Sequence, residues 1–215
     1  MDSDELDDAK RPAWQPTRGF ALVTGLAFAI GMIRPAAAGE GASMEQIDRN
    51  FGRPSPNAPA LSRFAFLIGD WRGEATLTSA DGGRQRFAVT WLGRYILDGY
   101  AIADEYRMTG PSGELIVLGT NFRSYDAARQ KWNIRWLNAL AGTWTDLVPD
   151  ELGGIHFDGP SVNYAFKEPV ANPGAYTRAT YTNVSETHFT WQGEKSDDGK
   201  SWTDFMVIEL DRVKE

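Results

Sequence analysis

The chain contains no cysteine. That absence excludes disulfides, thiolate metal sites, a cysteine nucleophile and a lipoprotein anchor, which needs a cysteine at its cleavage point. Histidine is almost as scarce, with His156 and His188 the only two. Neither sits in a helical i, i+4 arrangement with an acidic partner, so no metal site is expected. No Gly-x-Ser-x-Gly elbow, P-loop or dinucleotide fingerprint is present, which removes the commonest signatures of hydrolases and nucleotide-binding enzymes. There is no internal repeat at a period of about 20–50 residues, which argues against a propeller. Positive charge is also short. The net charge is −7 and no Lys/Arg stripe runs along any segment, so nucleic acid is not an expected partner.

What the chain has is apolar and aromatic bulk. Hydrophobic residues make up 42% of 215, and aromatics 12%, with eight tryptophans. That is enough for one domain with a real core. Flat, bulky side chains suit a barrel, both as filling and as a wall facing a ligand. Near the N-terminus, Gly19 to Ile33 forms an apolar run of about 15 residues, preceded by Lys10, Arg11 and Arg18 and followed by Pro35 and Ala36-Ala37-Ala38. The run is shorter than the roughly 20 residues of a membrane span. It reads as a secretory signal over 1–38, although Asp2, Asp4, Glu5, Asp7 and Asp8 lie where such signals are usually basic. The expected order is therefore signal peptide 1–38, linker 39–59 and barrel domain 60–215. The expected compartment is periplasmic or secreted, with no stable membrane insertion after cleavage.

Past the Gly-, Pro- and Ala-rich linker, Ala60–Leu67 reads as a short helix or 3₁₀ turn, because Leu61, Phe64, Phe66, Leu67 and Ile68 recur at mixed spacing. The rest reads as strands. Segments Trp71–Ser79, Arg84–Trp91, Arg94–Met108, Glu114–Tyr125, Lys131–Ala139, Thr143–Val148, Gly154–Phe157, Ser161–Lys167, Ala175–Val184, Thr187–Gly193 and Ser201–Arg212 are separated by turn residues. Ala80-Asp81-Gly82-Gly83 is the strongest hairpin signal, and Gly99 predicts a bulge inside Arg94–Met108. About ten short strands with no amphipathic helix between them predict an all-β, antiparallel up-and-down barrel, with the N-terminal helix plugging one end.

Strand alternation assigns faces. Trp132, Ile134, Trp136 and Asn138 share one face, and Trp136 with Asn138 is suited to stack on and orient a flat ligand. Tyr100, Ile102, Asp104 and Tyr106 share another. Inside a barrel that set could bind or protonate a carbonyl, because burial raises an aspartic acid toward neutrality. Asn121, Arg123 and Tyr125 form a third set, suited with Arg135 to hold a carboxylate. His188 alternates with Thr190 and Gln192, a polar and solvated pattern, and is also a candidate acid or base.

Phe66-Leu67-Ile68-Gly69-Asp70-Trp71-Arg72-Gly73 at the first strand, with Arg212 ending the last, resembles the calycin superfamily of lipocalins, fatty-acid-binding proteins and bacterial relatives. The likeness implies that Gly69, Trp71 and Arg212 form the closed barrel end, with Trp71 lying across it and Arg212 packed on the tryptophan. If so, the Arg212, Leu210, Ile208 and Met206 face is interior. Gly69-x-Trp71-x-Gly73 also resembles the nitrobindin branch. Leu92-Gly93-Arg94-Tyr95 and Tyr125-Asp126 with Trp132 are similar to bacterial lipocalin-like families of unknown function. Nitrobindins hold haem through a histidine near the C-terminus. Trp202–Glu215 has none, so no haem or other cofactor is expected.

The expected function is a carrier or scavenger of a small apolar or aromatic molecule. Its ligand site would use Trp132, Trp136, Asn138, Tyr100, Asn121 and Arg123 around an apolar cavity of about 300–1,000 Å³. The alternative is an isomerase-, cyclase- or hydratase-type enzyme using Asp104, Tyr106 or His188.

Overall fold

The computed structural model describes residues 51–148, 152–167 and 175–214. The expected signal and the first part of the linker lie outside the described residues. A 3₁₀ helix at Pro59–Leu67 precedes eleven strands: β1 Gly69–Thr78, β2 Arg84–Ile96, β3 Ala101–Thr109, β4 Leu115–Asp126, β5 Lys131–Asn138, β6 Thr143–Asp146, β7 Ile155–Asp158, β8 Ser161–Lys167, β9 Tyr176–Thr182, β10 His188–Ser196 and β11 Thr203–Arg212. They form one antiparallel sheet in the order β6-β5-β4-β3-β2-β1-β11-β10-β9-β8-β7. The first and last strands are therefore neighbours, which is the all-β barrel architecture expected from the turn spacing. The sheet's two edges are the short strands β6 and β7. Across that seam Trp132 of β5 meets Phe157 of β7, with ring centroids 5.9 Å apart.

One expected strand is two. Arg94–Met108 does not run through with a bulge. It breaks at Leu97–Gly99, a single 3₁₀ turn between β2 and β3. Leu97, Asp98 and Gly99 all take positive φ, of 53°, 54° and 82°. Three left-handed residues in a row reverse the chain, which one bulge cannot do. The end of the expected linker is not free either. Phe51 O accepts a hydrogen bond from Tyr95 N at 2.8 Å, and Ser55 N donates to Gly99 O at 3.1 Å. Segment 51–58 thus docks beside this turn.

The helix closes one end of the barrel. Pro59 suits its start, because proline's fixed φ is preset for the first turn. Leu61, Phe64 and Leu67 are wholly buried, each worth about 1.5–3 kcal/mol in apolar burial. Around them pack Trp71, Ile102, Ile134, Tyr181, Phe189, Ile208 and Leu210, all inward-facing and buried. Among the described residues, the other end carries only the turns that link the strands. There the inward-facing Leu77, Phe87, Val117, Trp136, Phe166 and Met206 are only half-buried.

Candidate functional site

The closed end is held by a local cluster. Trp71 and Arg212 are cross-strand partners, and the Arg212 guanidinium carbon lies 4.1 Å from the centre of the Trp71 ring. Trp71 Nε1 donates to Leu67 O at 3.1 Å. Arg212 donates to Ile68 O at 2.7 Å and to Glu186 O at 2.6 Å. Gly69 has φ +134°, and a Cβ there would fall on Arg212 Nη1. Only glycine lets the guanidinium reach the Ile68 carbonyl just past the helix. Partial burial pulls the Arg212 guanidinium below its ordinary value. Every group in this cluster has a structural task.

Deeper in the barrel, two sets that alternation assigned separately form one network. The β3–β4 register puts Asp104 opposite Asn121, and Arg123 follows two residues along on the same face. Asp104 and Arg123 are both completely buried. Arg123 Nε donates to Asp104 Oδ2 at 2.6 Å, Arg123 Nη2 to Oδ1 at 3.3 Å, and Asn121 Nδ2 to Oδ1 at 2.6 Å. Arg123 Nη2 also donates to the Tyr181 hydroxyl at 3.0 Å, which pairs with the Tyr164 hydroxyl at 3.3 Å. Burial pushes the Asp104 carboxyl above its ordinary range, opposed by Arg123 and Asn121. Arg123 does meet a carboxylate, but it is the chain's own.

Two buried donors remain over. Arg123 Nη1 and Trp91 Nε1 have no hydrogen-bond partner among the described residues. Both side chains lie near the Tyr181 ring, Arg123 at 5.7 Å and Trp91 at 6.2 Å. Tyr106 is packed edge-on to Trp91 at 5.4 Å, and its hydroxyl reaches only Met108 Sδ at 3.5 Å. Burial pushes the Tyr106 phenol well above its usual value, so it stays a donor. Trp136 touches the far side of Tyr106 at 6.4 Å and stands at the half-buried end. Its ring lies on the backbone of Gly119, where any Cβ would collide with it.

Five residues expected at the site stand elsewhere. Tyr100 is not on the inner face. It follows the Leu97–Gly99 turn, is 50% exposed, and its hydroxyl accepts from Asn57 at 3.2 Å. Trp132 points inward but belongs to the plugged end, with its ring 4.9 Å from Phe64. Asn138 Oδ1 is taken by Leu140 N and Ala141 N, both at 3.1 Å, so it shapes the β5–β6 turn. His188 is on the outer wall. Its ring nitrogens meet Asp211 at 2.8 Å and Glu209 at 3.1 Å, and it cannot act with Asp104 and Tyr106 inside. Arg135 also faces out, over the exposed Trp144 ring at 5.3 Å.

Sequence reasoning missed Trp91, Tyr164 and Tyr181. The signal for Trp91 was there, since it alternates with Val89 and Phe87 in β2 and all three face inward. A groove of about 650 Å³ lies not in the barrel but outside its closed end, between Phe66, Val184, Glu186 and Arg212. It has the expected size in a different place.

No family model matches the chain, and no curated protein does. Solved structures do. The crystal structure of Rv2717c from M. tuberculosis aligns with a TM-score of 0.55 at 12% identity, over 73% of this chain and 99% of that one. The likeness establishes a shared lipocalin-like β-barrel fold. Two further structures align less closely. The S-type phycobiliprotein lyase CpeS from Guillardia theta has a TM-score of 0.48 at 9% identity, covering 73% of this chain and 93% of that one. A protein of unknown function from the DUF3598 family of Nostoc punctiforme has a TM-score of 0.41 at 13% identity, covering 69% and 48%.

Proposed function

We propose that the protein is an exported carrier or scavenger that takes a small apolar or aromatic molecule into the open half of its barrel. One observation carries the reading. Leu77, Phe87, Val117, Trp136, Phe166 and Met206 point inward yet stay half-buried, above a buried floor of Trp91, Tyr106 and Met108. Apolar side chains left part-wet inside a barrel gain about 25 cal/mol per Å² when a ligand covers them. The apolar run Gly19–Ile33 and the small residues after it support export. The ligand is not haem in this reading, because His156 and His188 both stand on the outward face of their strands. We group the chain with the bacterial lipocalin-like barrels rather than with the haem-binding branch. Isomerase, cyclase or hydratase chemistry at Asp104 fits less well, since both of its carboxylate oxygens already accept hydrogen bonds from Arg123 or Asn121.

Native mass spectrometry of the full chain, purified gently from its own host's extract, tests this. The expected result is a reproducible added mass that is lost on denaturation and lost in Trp136→Ala. A bare mass, with no uptake from a panel of aromatic compounds, would remove the reading.

A further inference from the structure

The described interior leaves two buried donors without acceptors. Its polar acceptors are few, and those of Asp104 are engaged by Arg123 and Asn121. On the donor side, Arg123 Nη1 and Trp91 Nε1 are unpartnered among the described residues, though Arg123 is wholly buried and Trp91 is only 3% exposed. The Tyr106 hydroxyl has only a thioether sulfur to donate to, a weak acceptor. A buried donor left without an acceptor costs about 1–3 kcal/mol. Such a deficit is rare in folded proteins, and when it recurs at neighbouring groups it calls for a partner. Trp91 packs edge-on against Tyr106 at 5.4 Å, and Trp91 and Arg123 each lie near the Tyr181 ring, at 6.2 and 5.7 Å.

We infer that the molecule this barrel binds carries a neutral hydrogen-bond acceptor, a conjugated carbonyl oxygen being the best fit, which Trp91 Nε1 receives together with the Tyr106 hydroxyl. The inference rests on the binding reading above and specifies its ligand. Charge selects the acceptor. Asp104 and Arg123 are the only buried charged side chains among the described residues, and they neutralise each other. A carboxylate would add an uncompensated buried charge, which is far more expensive than a carbonyl. The rings selected a flat skeleton. Trp91, Tyr106 and Trp136 form a continuous run of edge contacts from the floor to the mouth, and a conjugated ketone has both the flat face and the oxygen.

Three compounds on one skeleton separate the possibilities: acetylnaphthalene, ethylnaphthalene and naphthoate. Their affinities for the full-length protein are compared by isothermal titration calorimetry, with the wild type and with Trp91→Phe, which keeps an aromatic ring but removes the N–H. One gained hydrogen bond corresponds to about three- to tenfold tighter binding. The ketone is therefore expected to bind about three- to tenfold more tightly than the hydrocarbon, with naphthoate weakest, and Trp91→Phe is expected to bring the ketone-to-hydrocarbon ratio toward one. Equal affinity for ketone and hydrocarbon would overturn this inference while leaving the binding reading in place. A preference for naphthoate would overturn the neutrality argument. Failure of all three to bind would overturn both.

Discussion

The two ends of this barrel solve the same packing problem differently. At the closed end, inward-facing residues meet a helix that fills the space, and the polar atoms of Trp71 and Arg212 find backbone carbonyls. At the open end, inward-facing residues of the same alternation meet no such plug among the described residues, and there they remain half-buried. Between the two lies a buried polar layer in which Trp91 Nε1 and Arg123 Nη1 have no partner among the described residues. The first end is finished by the chain itself. The second is left part-wet by the described residues, and that difference is what the proposed binding role rests on.

The comparison can be broken most severely at the polar layer. Asp104→Ala leaves the Arg123 guanidinium buried without its counter-charge, and about 3–5 kcal/mol of stability should be lost in urea denaturation. Replacing both partners, as Asp104→Leu with Arg123→Met, should lose much less, because no lone charge remains. Equal losses in the single and double variants would mean that the pair does not behave as a unit.

The next test sets the ends against each other. Leu61 is fully buried beneath the helix and Leu77 is half-buried at the mouth. Leu61→Ala should cost about 2–5 kcal/mol, and Leu77→Ala about 1 kcal/mol. If both cost the same, the open end is as well packed as the closed one, and the contrast fails. A smaller effect is expected from Arg212→Ala. Its guanidinium is only partly buried and binds carbonyls rather than a carboxylate, so about 1 kcal/mol is expected by thermal or chemical unfolding. A variant that does not fold would show that this corner matters more than its exposure suggests.

The smallest effect lies on the rim of the open end, in the β10–β11 turn. Asp198 accepts from Lys200 N and Ser201 N, both at 2.8 Å, and these bonds lower its carboxyl to about 2. A lowered folded value means that the turn's stabilisation is present above the ordinary aspartate range and is lost as pH falls through about 2. A carboxyl ¹³C titration should place the Asp198 midpoint near 2. A midpoint at the ordinary value of about 3.9 would show that the turn does not hold its carboxylate.

Much of this was legible in the sequence, and the exceptions share a cause. Turn residues marked the strands, and alternation put Asp104, Tyr106, Trp136, Asn121 and Arg123 on faces that the fold does turn inward. Alternation is a property of one strand, so it could not say that Asp104 and Arg123 face each other. That needed the β3–β4 register. Nor could it see local competition. Asn138 has the parity of a lining residue, yet its amide oxygen serves the adjacent turn. Tyr100 was misplaced because Asp98-Gly99, itself an Asp-Gly turn signal, was read as a bulge inside one strand, whereas Leu97, Asp98 and Gly99 all take positive φ and reverse the chain. Trp132 and Trp136 have the same parity and opposite fates, because alternation does not give height along the barrel.

The central claim is that a ligand enters the open half and leaves the closed half unchanged. The indole N–H resonances in a ¹⁵N correlation spectrum report on it directly, because the tryptophans are spread over both ends and the outer wall. On titration with acetylnaphthalene, the Trp136 and Trp91 signals should shift together and saturate, while Trp71, tied to Leu67 O, and Trp144, exposed on the outer wall, should stay in place. Shifts confined to Trp144 or Trp71, with Trp136 unmoved, would contradict the account.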